Sequence, residues 1–254
     1  MSKFFLLGKT LSHTFSPAYF RQMWDKQNIP NHSYQTLELP DLSTFRAWRA
    51  TQTELGGLNV TIPYKTEIIP FLDDLSPAAR EIQAVNTIVC QAGKLIGHNT
   101  DVIGFEKLLL LALSTKTFLP KQALIFGTGG SSKAVAYVLQ KLNISFQFVS
   151  SQPNTAHFSY PAIGKALLQT HLLLINTTPL GMFPNTSSKV PLPYHFLTPE
   201  HICIDLVYNP TTTAFLAAAA EQGASTHNGL LMLHEQANAA WDLWKNAGNY
   251  KGQP

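Results

Sequence analysis

The segment Ala123-Leu124-Ile125-Phe126-Gly127-Thr128-Gly129-Gly130-Ser131-Ser132-Lys133-Ala134 constrains the fold of this chain more than any other. An apolar run without alternation, Ala123 to Phe126, reads as a strand buried on both faces, as in a parallel sheet. Glycines follow it at once, and a helical pattern from Ser132 to Leu142 follows them. Gly127 permits the tight turn, Gly129 lets backbone N–H groups approach a pyrophosphate, and the small Ser132 allows helix and strand to pack closely. The helix N-terminus adds partial positive charge at the same place. Gly127, Thr128, Gly129, Gly130, Ser131 and Ser132 are therefore candidate dinucleotide-binding residues, with a plain strand–helix turn as the alternative.

NAD-binding chains usually carry an Asp or Glu about 20 residues further on, at the end of the next strand, to hold the ribose 2′-hydroxyl. Here that strand ends Val149-Ser150-Ser151-Gln152, without an acid and without an arginine. The missing acid leaves room for a 2′-phosphate, with Ser150 and Ser151 as candidate donors to it. NADP is the expected cofactor and NAD the alternative.

Strands and helices alternate along the whole chain, which implies an α/β architecture with largely parallel sheets. Lys3–Gly8 reads as a strand. Ser16 reads as the N-cap of a helix running to Asn28, with Pro17 at its first position. His32–Leu39 is a second strand, Leu42–Thr51 a helix, and Gly57–Ile62 a third strand that places Asn59 and Thr61 on one half-exposed face. Short helices are expected at Glu67–Leu72 and Pro77–Ile82. Val85–Cys90 and Lys94–Ile96 form a hairpin signal, and Ile103–Leu113 a long helix. After a connector, Thr115–Lys121, the second series runs through a strand at Ser145–Val149, a helix at Tyr160–Gln169 and strands at Leu172–Ile175 and His201–Val207. It ends with a helix at Thr213–Gln222 and a strand at Ala224–Thr226. The last helix, Leu230–Lys245, sets Leu233, Ala237, Ala240, Trp241 and Trp244 on one face.

With 254 residues, 45% hydrophobic and 13% charged, the chain suits a compact globular fold. A net charge of +3 without a Lys/Arg cluster argues against nucleic acid as a partner. The apolar patch near the N-terminus is too short for a signal-peptide core, and no apolar run is long enough to span a membrane. Cys90 and Cys203 sit apart in apolar strand-like runs and read as small core residues. No metal-ligand spacing is present, and His13, His98 and His234 read as structural. The expectation is a cytoplasmic protein with no metal, no membrane and no nucleic-acid partner.

The first half offers an unusual set of polar residues at strand ends: Thr14, Ser16, Asn59, Thr61, Lys65, Asn86 and Asn99-Thr100-Asp101. Hydroxyls, amides, one ammonium and one carboxylate suit a ligand bearing several hydroxyls and a carboxylate. A nicotinamide alcohol dehydrogenase also needs one positioned acid/base. The chain resembles the shikimate dehydrogenase family along nearly its whole length. The blocks that carry the resemblance include Ser12-His13-Thr14-Phe15-Ser16-Pro17, Asn59-Val60-Thr61-Ile62-Pro63-Tyr64-Lys65, Ala84-Val85-Asn86-Thr87 and Asn99-Thr100-Asp101. Further blocks are the glycine loop, Asn176-Thr177-Thr178-Pro179-Leu180-Gly181, Asp205-Leu206-Val207-Tyr208-Asn209-Pro210 and Asn228-Gly229 through Ala237.

The resemblance implies an NADP(H)-dependent dehydrogenase acting on shikimate and 3-dehydroshikimate. Lys65 would be the acid/base, with Asp101 beside it. Thr14 and Ser16 would hold the substrate carboxylate. Asn59, Thr61, Asn86 and Gln236 would hold ring hydroxyls or carboxylate, and Tyr208 would reach the substrate. Leu206 and Gly229 would border the nicotinamide, and Thr177 and Thr178 would line the cofactor groove. It further implies a substrate domain of residues 1–101 joined by a returning helix, 230–254, and a doubly wound Rossmann-type domain of residues 102–229. The active site is expected between the two, in a monomer or homodimer. Three departures stand out: Thr14 where the family has Ser, Lys9-Thr10 where Pro is common, and Ser150-Ser151-Gln152 where an Arg is usual. Thr14 and the missing Arg support the runner-up, a quinate or quinate/shikimate dehydrogenase using NAD. A non-catalytic dinucleotide- or metabolite-sensing module is the reading from another class.

Overall fold

The computed structural model describes residues 2–11, 14–114, 116–152 and 157–249. Ser12, His13 and Thr115 lie outside the described residues. The chain divides into two compact units, Met1–Thr100 with Gln236–Pro254, and Asp101–Glu235.

The first unit runs β1 (Ser2–Gly8), α1 (Ser16–Lys26), β2 (His32–Glu38), α2 (Phe45–Ala50), β3 (Leu55–Val60), α3 (Tyr64–Glu67), β4 (Asp74–Leu75), α4 (Pro77–Ile82), β5 (Thr87–Gln91) and β6 (Lys94–His98). Its sheet is mixed, in the order β2-β1-β3-β5-β6-β4. β1 pairs in parallel with β2 and β3, whereas β5 is antiparallel to both β3 and β6. The β5–β6 hairpin turns on Ala92 and Gly93, both at positive φ, which is the twist that a two-residue hairpin requires.

Side-chain alternation splits β1 between two cores. Phe5 and Leu7 join Leu39, Phe45, Leu58, Tyr64, Ile68 and Ile88 on one face. Phe4 and Leu6 join Phe20, Trp24, Tyr34 and Val89 on the other, together with Ala237, Ala240, Trp241 and Trp244. Those last four come from the final helix, whose apolar stripe closes this face as its spacing predicts.

The second unit runs α5 (Asp101–Ser114), β7 (Gln122–Phe126), α6 (Gly130–Lys141), β8 (Ser145–Ser150), β9 (Phe158–Ser159), α7 (Lys165–Thr170), β10 (Leu173–Asn176), β11 (Ile202–Asp205), α8 (Ala214–Ala220), β12 (Ser225–His227) and the start of α9 (Leu230–Trp244). All six strands are parallel in the order β12-β11-β10-β7-β8-β9. The chain goes one way from β7 through β8 to β9, then returns to β10 and proceeds the other way. That is a doubly wound sheet, with its switch point between β7 and β10. Lys107 of α5 and Glu235 of α9 form an ion pair within this unit. No helix among the described residues is long and apolar enough to cross a membrane.

Several local expectations are corrected. Ser16 is not the N-cap of α1: Phe15 holds that position without a side-chain cap, Ser16 opens the helix, and Pro17 follows inside the first turn. β3 ends at Val60, and every residue in it is buried rather than half-exposed. Thr61 therefore lies in the turn, although its N–H still bonds Leu7 O at 2.9 Å. The helix expected at Glu67–Leu72 begins earlier, at Tyr64, and tightens to a 3₁₀ turn at Ile69–Phe71, where Pro70 removes a donor. The helix expected at Tyr160–Gln169 is broken into a 3₁₀ turn, Tyr160–Ala162, and α7, with Gly164 capping the latter. α2 starts at Phe45 because Asp41 accepts from Ser43 N at 2.8 Å and keeps the preceding residues in a turn.

Candidate active site

In the first unit, three strand ends bring polar side chains into one buried network. Asn59, near the end of β3, donates through Nδ2 to Asn86 O (3.3 Å) and Thr87 Oγ1 (3.1 Å). Asn86, just before β5, accepts at Oδ1 from Thr100 N (2.7 Å) and from the Thr87 hydroxyl (3.1 Å). Its Nδ2 donates to Thr100 Oγ1 at 3.0 Å and lies 3.5 Å from Gln236 Oε1. Tyr34, on β2, donates its hydroxyl proton to Asn59 Oδ1 at 2.7 Å, and Ser16 lies beside the same phenol. Burial holds the Tyr34 phenol well above its ordinary range, so it stays protonated at any physiological pH. The structure therefore gathers Ser16, Asn59, Asn86 and Gln236 from four stretches of sequence. Thr14 is half-buried just ahead of α1, and Thr61 half-buried beyond β3.

Lys65 stands on α3, a helix of four residues pinned from below. Tyr64 and Ile68 are buried, the Tyr64 hydroxyl donates to Leu39 O at 2.5 Å, and Val85 N donates to Lys65 O at 2.7 Å. The backbone of Lys65 is thus fixed, and its side chain is half-buried. Asp101 is the first residue of α5, buried, and falls in the second unit. Asn99, two residues earlier, donates to Ala84 O at 2.9 Å, and its buried Oδ1 has no hydrogen-bond partner among the described residues. His98 is half-buried at the end of β6 with its pKa lowered by burial, and His234 is half-buried on α9. Cys90 and Cys203 are free and buried, and burial pushes the Cys203 thiol up to about 12, which leaves it unreactive.

The second unit fits a dinucleotide. Gly127 sits at φ +103, and a Cβ there would meet Thr177 Oγ1 and Thr178 Cγ2 at 2.9 Å, so only glycine suits the turn. A Cβ on Gly129 would meet nothing within 4 Å, so the space above the loop is open. No side chain caps α6, and no acidic residue stands in its first turn, which leaves its first N–H groups for an anion. Buried Ser132 donates to Gly129 O at 2.6 Å, holding the loop against the helix. Thr128, Gly130 and Ser131 complete the turn at partly or fully exposed positions. Gly127 N bonds Val149 O at 2.9 Å, which brings the loop beside the end of β8. There Ser150 accepts from Gln152 N at 3.1 Å, leaving its hydroxyl proton for another acceptor, and Ser151 is exposed.

Across the switch point, Thr177 donates to Phe126 O through both N (3.0 Å) and Oγ1 (2.7 Å). Thr178 donates its hydroxyl to Asn176 Oδ1 at 2.6 Å. Behind them lies a group that the sequence reading missed. Asp205 is fully buried at the end of β11 and accepts from Asn176 Nδ2 (2.9 Å), Val207 N (3.0 Å) and Thr213 Oγ1 (2.6 Å). Burial raises its pKa from 3.8 to about 6 against the opposing effect of those hydrogen bonds. Leu206 and Tyr208 follow at half-buried positions, the Tyr208 phenol raised by burial. A Cβ on Gly229 would lie 2.1 Å from Leu206 O, so the start of α9 rests on the strand end only because residue 229 has no side chain.

A mixed α/β unit carrying a network of buried hydroxyls and amides, followed by a doubly wound unit with a phosphate-accepting glycine loop, defines a protein of the dinucleotide-binding α/β class. Comparison with known proteins makes this particular. The pattern of the shikimate dehydrogenase substrate binding domain matches residues 6–88. Shikimate dehydrogenase (NADP(+)) of Desulforamulus reducens is 34% identical over 94% of this chain and 88% of its own length. The chain belongs to the shikimate dehydrogenase family. Among solved structures, shikimate 5-dehydrogenase from Thermus thermophilus in complex with NADP(H) and shikimate matches with a TM-score of 0.83. It is 30% identical, over 97% of this chain and 94% of the other. Quinate dehydrogenase from Corynebacterium glutamicum in complex with NAD matches with a TM-score of 0.84 at 27% identity, over 96% and 94%.

Proposed function

We propose that this chain is an NADP(H)-dependent shikimate dehydrogenase, reversibly reducing 3-dehydroshikimate to shikimate on the route to chorismate and the aromatic amino acids. The observation that carries the reading is the joined network of Asn59, Asn86 and Gln236, with Ser16 near it, suited to a ligand rich in hydroxyls, in a chain that matches an enzyme of this name over 94% of its length. The first unit serves as the substrate domain and the second as the NADP domain. Thr14 and Ser16 hold the carboxylate through their hydroxyls, and Asn59, Thr61, Asn86 and Gln236 orient the ring. Tyr208 reaches the substrate. Gly127 through Ser132 cradle the pyrophosphate with backbone N–H groups, Ser150 and Ser151 donate to a 2′-phosphate, and Thr177, Thr178, Leu206 and Gly229 line the nicotinamide end.

NADP(H) supplies hydride transfer at the carbon that bears the oxidised hydroxyl. Lys65 takes the alcohol proton in one direction and returns it in the other, and Asp101 shares hydrogen bonds with the same hydroxyl. The fixed backbone of α3 keeps the Lys65 ammonium in place for this exchange. One observation favours a second reading, a quinate dehydrogenase using NAD: β8 ends in Ser150-Ser151-Gln152, without a cation to neutralise a 2′-phosphate.

Initial rates for shikimate and quinate, each with NADP and NAD, on wild type and Lys65→Ala decide between them. Fast oxidation of shikimate with NADP, falling about 10²–10⁴-fold in the variant as for a removed acid/base, is the expected result. A preference for quinate with NAD selects the second reading. No turnover with any pair leaves a binding protein on a dehydrogenase fold.

A further inference from the structure

The hydrogen bonds around Asn59 run in one direction. Asn59 Nδ2 donates to Asn86 O and Thr87 Oγ1, and the Asn86 carbonyl forbids the carboxamide from turning over, since that would place oxygen against oxygen. Asn59 Oδ1 is therefore an acceptor, and the donor it meets is the Tyr34 hydroxyl at 2.7 Å. A phenol has one proton. Having given it to Asn59, Tyr34 Oη can only accept from any other neighbour. Downstream, the Thr87 hydroxyl reaches both Asn86 Oδ1 and Thr100 Oγ1, and the Asn86 amide donates to Thr100 and toward Gln236.

Tyr34 is the donor that fixes the Asn59 end of the network. Its ring is buried, stacked on Phe20 at 4.6 Å and tilted against Trp244 at 6.3 Å. We infer that Tyr34 is a positioning residue for substrate: its hydroxyl sets the polarity of the Asn59 carboxamide before any ligand arrives. Ligand-binding groups held in advance lose less freedom when ligand binds. This inference rests on the substrate role proposed above for Asn59.

Tyr34→Phe removes one oxygen and leaves the ring stack intact. Because Lys65 and Asp101, not Asn59, handle the moving proton in the proposed reaction, misplacing Asn59 weakens ground state and transition state alike. The expected result is a KM for shikimate raised about fivefold to tenfold, the factor carried by one neutral hydrogen bond, with kcat nearly unchanged. The KM for NADP stays at the wild-type value. In an Asn59→Ala background the same substitution raises KM distinctly less, because the group that it positions is already gone. KM does not depend on the folded fraction, so partial misfolding leaves the comparison intact. A wild-type KM in Tyr34→Phe, an equal rise in both backgrounds, or a loss confined to kcat overturns the inference. Calorimetric titration of shikimate into wild type and variant reads the same difference without turnover. A wild type that binds shikimate without oxidising it overturns the functional reading, while the ratio of the two Kd values still decides the role of Tyr34.

Discussion

Asp205 makes the stability of the second unit depend on pH in an unusual direction. Its carboxyl is fully buried, and burial lifts its pKa from 3.8 to about 6. Between those values the unfolded chain has released the proton while the folded chain still holds it. The contribution is therefore fully present below pH 3.8 and is lost as pH rises through about 6. The difference between 3.8 and about 6 corresponds to about 3 kcal/mol. Already at about pH 4.5 the unfolded carboxyl is mostly ionised, so about 1 kcal/mol is gone there and about 2 kcal/mol remains to be lost by about pH 7.5. Asp205→Asn cannot ionise. It keeps Oδ1 for Asn176 and Val207 and turns an amide toward Thr213, at a cost of about 1–2 kcal/mol that does not vary with pH. Relative to the variant, wild type should thus weaken by about 2 kcal/mol between about pH 4.5 and about pH 7.5. Urea unfolding must be followed by circular dichroism, because all four tryptophans, 24, 48, 241 and 244, lie in the first unit and report only on it. A gap between the two proteins that stays constant to within about 0.5 kcal/mol across that range would refute the reasoning, since a carboxyl with an ordinary pKa contributes no such slope.

Other perturbations follow from the same geometry. Gly57→Ala would place a Cβ 2.1 Å from Trp244 Nε1 and 2.6 Å from Ile88 O, breaking the 3.0 Å bond between them. A loss of about 3 kcal/mol is expected from tryptophan-monitored unfolding, and a smaller one in a Trp244→Phe background, where the colliding nitrogen is absent. Thr213→Val removes both a donor to Asp205 and the acceptor that caps α8 at Leu216 N, and should cost the second unit about 2 kcal/mol in the same dichroism assay. Gly229→Ala would drive a Cβ into Leu206 O at 2.1 Å. It should lower the melting temperature of the second unit and raise the Kd for NADP in a fluorescence titration, and wild-type affinity would count against a cofactor role for this strand end.

The glycine loop was legible in the sequence because its requirements act on single residues. A turn at φ +103 against Thr177 and Thr178 admits only glycine at 127, and an uncapped helix start needs no partner from elsewhere. The final helix was legible because one apolar stripe of its length must be covered. Strand and helix ends were less so, since they depend on distant partners. α3 begins at Tyr64 because that phenol reaches Leu39 O, and nothing local to Pro63-Tyr64-Lys65 announces it. Tyr34 reads in sequence as one more aromatic residue of a strand, and its role emerges only from Asn59, 25 positions away. Asp205 was equally hidden, its three donors coming from residues 176, 207 and 213.

The first unit is discontinuous in sequence, and this has a consequence for how the protein is made. When the first 100 residues have left the ribosome, Phe4, Phe20 and Tyr34 still lack Trp241 and Trp244, and Ile88 O lacks the indole that pairs with it. The vacancy at Gly57 that admits Trp244 is open to water until then. The second unit, continuous from Asp101 to Glu235, is complete in the nascent chain before the first can close. Synthesis in the N-to-C direction thus inverts the usual order of domain folding. A chain cut short before Trp241 would carry a finished Rossmann half behind an unsealed, aggregation-prone partner.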